Sequence, residues 1–502
     1  MSHHGLRRLT VPVRLNRTDT RDHGDPQEAP TPLISASSSS SRTQVLSQQT
    51  PLLRRPGNAV FCGVLMLGLL TRVLAIAVFY DDCSTDPDGY LSMSRLVADG
   101  EGIVGPFTGQ PTAFRPPLYP VLLGSLMWAG LTPVAALLSL NLICGVATVW
   151  LTWRLCHVFG LSGMWQITAT TCVAVDPLLL RYTALPMTEV ASACLLSLAL
   201  VAWHSVFDHH HGVPENPKRR TRLILSGFVM GLLAMLRPIG FVVAVFLAAR
   251  EVWRSPRQHL AQVCIIAAAA GVIVLPWIVR NYLHFDAIIP ATTHGGYTLA
   301  LGNNPSFYRD VIRTDAVAWS GAQLAEWQLG VQQSAAEANI DPSDEPAMDA
   351  FMYQHAQSAI HAAPATFARA CLFRLQRFWS VRAVTTPASD ADNADVDGRQ
   401  EQPALRATMF QAAAVMTSVW YSLLWAGVAL SLLHQVRSRG TAGLATLWLT
   451  VLSFLCIHTF YWTDARMRTP VMPLLCILAA AGWRSVLTRS AELTSAGPDE
   501  PQ

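Results

Sequence analysis

The chain has 502 residues, of which 51% are hydrophobic and 14% charged, with a formal net charge of +3 at pH 7. Soluble domains carry about 25% charged residues, so a freely soluble enzyme is excluded. The small positive charge is spread over loop clusters, which excludes nucleic acid as a partner. The mean hydropathy of +0.31 and the long apolar runs indicate an all-α polytopic membrane protein.

Residues 1–58 are polar, Arg-bearing and Ser-rich, and read as a disordered cytoplasmic tail. The sequon at Asn16-Arg17-Thr18 is inert on that side. The first apolar stretch, 59–79, is too long and too far in for a cleavable signal sequence. Lys and Arg collect on the cytoplasmic side of a membrane. Arg7, Arg8, Arg14, Arg17, Arg21, Arg42, Arg54 and Arg55 therefore place the tail inside, and 59–79 delivers an acidic run outside. That run holds Asp81, Asp82, Asp86 and Asp88, with Tyr90 and Arg95 just beyond.

The next apolar segment, 118–131, has 14 residues before Thr132-Pro133. A spanning helix needs about 20, so a re-entrant or interfacial helix on the outer side is predicted. Further spans are expected near 134–156, 161–180, 187–207, 222–236, 238–253, 258–279, 406–434, 441–462 and 470–488. Basic connections at 218–222, 250–257, 437–439 and 484–489 belong inside, which holds only if 118–131 does not cross. The run 222–253 crosses twice, as two short helices broken at Arg237-Pro238. The expected architecture is a bundle of about ten transmembrane helices with outer-face juxtamembrane helices and both termini cytoplasmic.

By domain, 59–279 is a catalytic transmembrane module with a first outer loop at 80–133. A large extracytoplasmic loop follows at 280–405, punctuated by Pro342, Pro346, Pro364 and Pro387. Within it, 364–381 mixes apolar and basic residues at helical spacing and reads as an interfacial helix, with Trp379 at headgroup level. C-terminal helices occupy 406–488 and a second cytoplasmic tail 489–502. No internal repeat is found. The ten cysteines lie mostly inside apolar runs and form no CxxC pair, so metal or redox chemistry is not indicated. Cys83 and Cys371 fall on one side and are candidates to pair. The triple histidine 209–211 reads as a polar loop.

This topology gathers Arg115, Arg181, Glu189, Arg237, Arg280, Asp464, Arg466 and Arg468 at the outer membrane edge. Charges there are costly and are functional candidates by default. The plain reading of a single Arg is a headgroup anchor, which suits Arg181. It suits Arg237, in a Pro-broken turn between two short helices, less well. Pro116-Pro117 also suits a helix start, and Gly295-Gly296 a close backbone approach. Taken together, a carboxylate can remove a proton from an attacking hydroxyl. Several arginines can hold a phosphate and stabilise its charge as it leaves. At a membrane surface that chemistry suits group transfer from a lipid phosphate.

The motifs resemble the GT-C superfamily of polytopic glycosyltransferases, in the bacterial branch related to protein O-mannosyltransferases and aminoarabinose (lipid A) transferases. The likeness runs from about residue 59 to 485. It rests on Asp86 with Tyr90 four residues on, "PPLYP" after Arg115, Thr188-Glu189, "LRP" at 236–238, "PWIVRN" at 276–281 and "RMRTPVMP" at 466–473. The resemblance implies a polyprenyl-phosphate sugar donor, inversion at the anomeric carbon, and a glycan, lipid or protein acceptor outside the cytoplasm of the inner (plasma) membrane. It places the base on Asp86, with Asp88 the close second. Tyr90, Arg115, Glu189, Arg237, Arg280, Asn281, Arg466 and Arg468 are then the substrate-binding set. Aminoarabinose transferases carry an acid before the basic residue. Here Phe114 stands there, so the cofactor stays open and a divalent metal is not indicated. The alternatives are a transporter or flippase of lipid-linked sugars, or an oligosaccharide polymerase or ligase.

Overall fold

A computed structural model describes residues 57–207, 218–314, 316, 319–382, 403–437 and 442–495. Residues 1–56, the triple histidine, 383–402 and 496–502 lie outside it. Among the described residues the chain is helical, and its only sheet-like pairing is one isolated bridge between Val104 and Pro111.

The first elements are α1 (Asn58–Val78), α2 (Tyr90–Ala98), α3 (Leu118–Trp128), α4 (Pro133–Val158), α5 (Met164–Ala174) and α6 (Pro177–Arg181). Next come α7 (Glu189–Phe207), α8 (Arg219–Leu236), α9 (Ile239–Arg254) and α10 (Pro256–Phe285). The loop region holds α11 (Gly295–Gly302), α12 (Pro305–Phe307), α13 (Gly321–Glu337), α14 (Glu345–Ala362) and α15 (Pro364–Phe378). The chain closes with α16 (Pro403–Arg437), α17 (Ala445–Phe460) and α18 (Met472–Ser495).

Six segments are long and apolar enough to cross a membrane: Asn58–Val78, Pro133–Val158, Glu189–Phe207, Pro256–Phe285, Gln411–Arg437 and Ala465–Thr488. With the shorter apolar α3 and α17 they make an all-α polytopic membrane protein. Leu70, Leu74, Val272, Leu275, Val415 and Leu423 are exposed on the outside of the bundle, as lipid contact requires.

Two ends of the bundle are marked by contacts. At one, Arg181 pairs with Asp82 at 2.8 Å and Arg115 with Asp88 at 3.1 Å. At the other, Arg484 donates to the Gly160 carbonyl at 3.0 Å and the His259 Nδ1 lies 2.8 Å from the Glu251 carbonyl. The acidic run, α2 and α3 all stay at the first end. The 11 residues of α3 reach about 16 Å, half of a hydrocarbon core of about 30 Å. Tyr90, Tyr119 and Leu123 seat α2 and α3 on Leu137, Ala191 and Leu236 of the bundle. Gly124 permits the approach, since a methyl there would stand 2.8 Å from the Ser94 carbonyl oxygen of α2.

The structure departs from the expected elements at several places. The span 161–180 is broken, because Asp176 caps α6 by accepting from the Leu179 N–H at 3.0 Å and Pro177 takes its first position. The helix expected at 258–279 continues to Phe285, through Pro276, so Arg280 and Asn281 are helical rather than in a loop. The region after it is largely helical. Ser320 and Gln323 form a capping box on α13, and Asp344 caps α14. All ten cysteines are free, Cys83 and Cys371 included; the buried Cys83 thiol faces the Phe79 carbonyl at 3.9 Å.

Candidate active site

The acidic run turns at Gly89, whose φ of 74° is left-handed, and enters α2. The two candidate carboxylates both precede Gly89 and do different things. Asp86 accepts the Leu91 N–H on Oδ1 at 2.9 Å and the Ser92 N–H on Oδ2 at 2.7 Å. It caps the positive end of α2 with both oxygens. Asp88 faces arginines instead. Arg115 donates from Nη2 to Oδ1 at 3.1 Å and from Nε to the Asp88 carbonyl at 3.1 Å. Arg466 donates from Nη1 to Oδ2 at 3.4 Å. Burial by itself would raise the Asp88 carboxyl, but Arg466 and Arg115 outweigh it and hold the group below the usual carboxylate range. The Arg115 guanidinium also lies 5.5 Å from the Tyr90 ring centroid and 5.3 Å from that of Phe114. Burial pushes the Tyr90 phenol up to about 12.

A second acid–base pair stands beside the first. Glu189, the first residue of α7, is buried, and its Oε1 lies 3.6 Å from Arg237 Nη2. Arg237 occupies the break between α8 and α9 with φ −146° and ψ 130°, the extended backbone that a following proline imposes. Arg237 Nη1, Glu189 Oε2 and Arg466 Nε are buried without a hydrogen-bond partner among the described residues. Asp464 caps a 3₁₀ turn, Ala465–Val471, by accepting the Arg466 N–H at 2.8 Å; its Oδ2 is 3.8 Å from Arg466 Nε. Three guanidinium groups thus meet three carboxylates from five chain segments.

Three sequence candidates are engaged elsewhere. Arg280 donates to the carbonyls of Thr112 at 2.8 Å and Ile103 at 2.5 Å, and Asn281 donates to the Ile289 carbonyl at 3.0 Å. They tie the loop between α2 and α3 and the 286–290 turn to α10. Arg468 points into the bundle, donating to the carbonyls of Phe378 and Ser380 at 2.7 Å each and covering the Tyr421 ring at 4.4 Å. Residues close together in sequence diverge here because a 3₁₀ turn separates the side chains at 466 and 468.

His294 is a site residue that sequence reasoning missed. Its ring stacks on Tyr297 at 5.1 Å and meets the Phe114 edge at 4.2 Å. Burial, then the Arg115 charge, pushes it down to about 3, so it stays neutral beside two guanidiniums. The Gly295-Gly296 pair was its nearest signal. Glu345 was missed too: it binds Thr112, accepts the Ala113 N–H at 2.8 Å and the Thr293 hydroxyl at 2.8 Å, and so joins the loop between α2 and α3 to α14.

Asp88 and Glu189 each face a guanidinium, and no group of three His, Cys, Asp or Glu gathers among the described residues. Two cavities flank the 111–118 segment. One, of about 680 Å³, is a largely apolar groove between α3, α8 and α10, lined by Val121, Leu232, Met235, Ile273 and Trp277, with Glu101, Arg280 and His284 its charged or titratable lining. The other, of about 170 Å³, lies between Phe114, Tyr297 and α14.

No family model matches the chain, and no curated protein matches it. Solved structures do. The oligosaccharyltransferase of Archaeoglobus fulgidus, tethered to an acceptor peptide containing the NVT sequon, aligns at 15% identity over 87% of this chain and 51% of its own, with a TM-score of 0.50. The same archaeal AglB in complex with an inhibitory peptide and a dolichol-phosphate aligns at 14% identity over 88% and 52%, TM-score 0.48. ArnT from Cupriavidus metallidurans, bound to undecaprenyl phosphate, aligns at 11% identity over 89% and 82%, TM-score 0.39. The chain spans about half the length of the AglB chains it matches. At such identities the likeness is one of fold alone.

Proposed function

We propose that the protein is an inverting glycosyltransferase of the inner membrane. It moves a sugar from a polyprenyl-phosphate donor to an acceptor hydroxyl on the extracytoplasmic face, with both termini cytoplasmic. The observation that carries this reading is Asp88 held between Arg115 and Arg466, beside Arg237 with an unpartnered nitrogen. Such a cluster is a base stored with the cations that a phosphate would claim. A phosphate offers several anionic oxygens to the arginines. As it takes Arg466 and Arg237, Asp88 loses a stabilising charge, its carboxyl rises, and it becomes a stronger base. The acceptor oxygen attacks C1, its proton passes to Asp88, and the C1–O bond breaks with its electron pair going to the phosphate. Attack opposite the leaving phosphate inverts C1.

Asp88 is assigned the base because both oxygens of Asp86 are committed to backbone N–H groups. Glu189 keeps Arg237 oriented, and Tyr90 backs Arg115. Arg280, Asn281 and Arg468 act on the site through the segments they anchor. The groove between α3, α8 and α10 supports a substrate with a lipid chain, since its lining is mostly apolar.

The test incubates the protein in lipid with labelled polyprenyl-phosphate sugars, beside Asp88→Asn and Asp86→Asn. Wild type is expected to release label from at least one donor, and Asp88→Asn to release none. Equal release by wild type and Asp88→Asn, or no release by wild type from any donor, overturns the proposal.

A further inference from the structure

The smaller cavity, about 170 Å³, shares Phe114 with the surroundings of the ion cluster. One face of α14 lines it at helical spacing with Glu345, Met348, Asp349 and Met352, and Phe114 and Tyr297 stand opposite. Its chemistry differs from that of the cluster, because no lysine or arginine lines it. A phosphate finds no partner there. Glu345 is fully used by Thr112, Ala113 and Thr293. Asp349 accepts the Gly296 N–H on Oδ1 at 2.6 Å, and its Oδ2 has no partner among the described residues. What remains for a ligand is one carboxylate oxygen, two aromatic rings and two thioethers. That combination accepts hydrogen bonds and packs against C–H faces; it takes a ring bearing hydroxyl or ammonium donors. The volume lies below the roughly 300–1,000 Å³ of pockets for drug-sized ligands, so it has room for one ring and not for a chain.

We propose that this cavity is a monosaccharide subsite, with Asp349 bonding a hydroxyl or amino group of one sugar ring packed between Phe114, Tyr297 and the methionines. The proposal rests on the glycosyltransferase reading and names the part of the substrate next to the reacting centre. Phe114 both lines the cavity and stands, by its ring centroid, 5.3 Å from the Arg115 guanidinium of the Asp88 pair. The ring belongs either to the donor or to the acceptor.

The experiment uses the full chain in lipid nanodiscs and measures binding of neutral and amino-bearing methyl glycosides by saturation-transfer NMR. Wild type is expected to bind at least one of them. Asp349→Asn should weaken that binding tenfold or more, and Met348→Trp, which fills the cavity, should abolish it. Binding of a sugar-free polyprenyl phosphate, retained in both variants, shows that they are folded. If Met348→Trp loses that binding, the isosteric Asp349→Asn decides alone. A second arm adds polyprenyl-phosphate sugar. Displacement of the glycoside assigns the subsite to the donor; simultaneous binding assigns it to the acceptor. No glycoside binding by wild type, or undiminished binding by Asp349→Asn, overturns the subsite. Label release from the donor is scored separately, so the transferase reading can stand while the subsite falls, or the reverse.

Discussion

Replacing each of the two candidate carboxylates separates a cap from a base. Asp86 holds the amides of Leu91 and Ser92 at 2.9 and 2.7 Å. Removing a helix-capping acceptor costs about 0.5–2 kcal/mol. That loss multiplies an open population by roughly 2–30. In Asp86→Ala the Leu91 and Ser92 amides should therefore exchange hydrogen about 2–30 times faster than in wild type, with turnover reduced less than about tenfold. Asp88 bonds no amide of α2, so Asp88→Asn should leave both exchange rates alone. It should cut turnover by the roughly 10²–10⁴-fold of a lost general base, which is about 2.7–5.5 kcal/mol of barrier at ~1.36 kcal/mol per decade. Hydrogen-exchange mass spectrometry on peptides spanning 84–98 and donor label release read the two effects independently. The reasoning is refuted if Asp86→Asn abolishes turnover while Asp88→Asn preserves it, or if the two amides exchange at the wild-type rate without Asp86.

Three further predictions follow from single contacts. Arg466 helps hold Asp88 below the usual carboxylate range, so the free enzyme keeps its base ionised to low pH. Removing the cation raises the carboxyl, and Arg466→Gln should move the acid limb of kcat/KM upward; an unmoved limb refutes the pairing. The same depressed carboxyl contributes stability above its unfolded value, lost as pH falls through the folded one. A methyl added at Gly145 of α4 would stand 2.2 Å from Nε of the fully buried Arg72. Overpacking of this kind costs about 1–3 kcal/mol, and Gly145→Ala should lower the thermal midpoint in detergent. Arg280→Gln removes the bonds to Thr112 and Ile103. Limited proteolysis should then cut faster within 99–112, with kcat/KM down about tenfold but not abolished.

The site was legible where sequence chemistry is carried by a backbone device. Arg237 before Pro238 announces an extended turn between short helices, and the structure puts it against Glu189. The short apolar run at 118–131 stays at one end of the bundle because eleven helical residues cannot reach across. Arg115 and Arg466 meet at Asp88 as one convergent set. What could not be read was direction within a turn. Asp86 and Asp88 are two residues apart on the turn that enters α2 at the left-handed Gly89, yet one takes the α2 amides and the other the arginines. Arg466 and Arg468 pose the same problem. His294 left no pattern, since its neighbours Phe114 and Tyr297 approach it through the fold. Asp176 was read as part of a continuous helix because the apolar residues on both sides hid an Asp-Pro helix start.

Arg72 and Asp176 also bear on the transporter alternative. Charges set at one membrane edge argue against transport, whereas these two lie deep in the bundle. Their surroundings are those of packing rather than of a path. Arg72 donates to the Gly68 carbonyl at 2.9 Å on its own helix, with Gly145 close against its guanidinium. Asp176 caps α6 and accepts the Tyr421 hydroxyl at 3.1 Å. Tyr421 in turn lies under Arg468, whose chain neighbours carry Arg466 to Asp88. Asp176, Tyr421 and Arg468 therefore form a brace from α6 and α16 to the turn that presents Arg466. Alternating access would open that brace to water in one state and, by moving the 465–471 turn, would withdraw Arg466 from Asp88 in the same step. A fixed site at one edge, held by a charged strut behind it, is what group transfer needs.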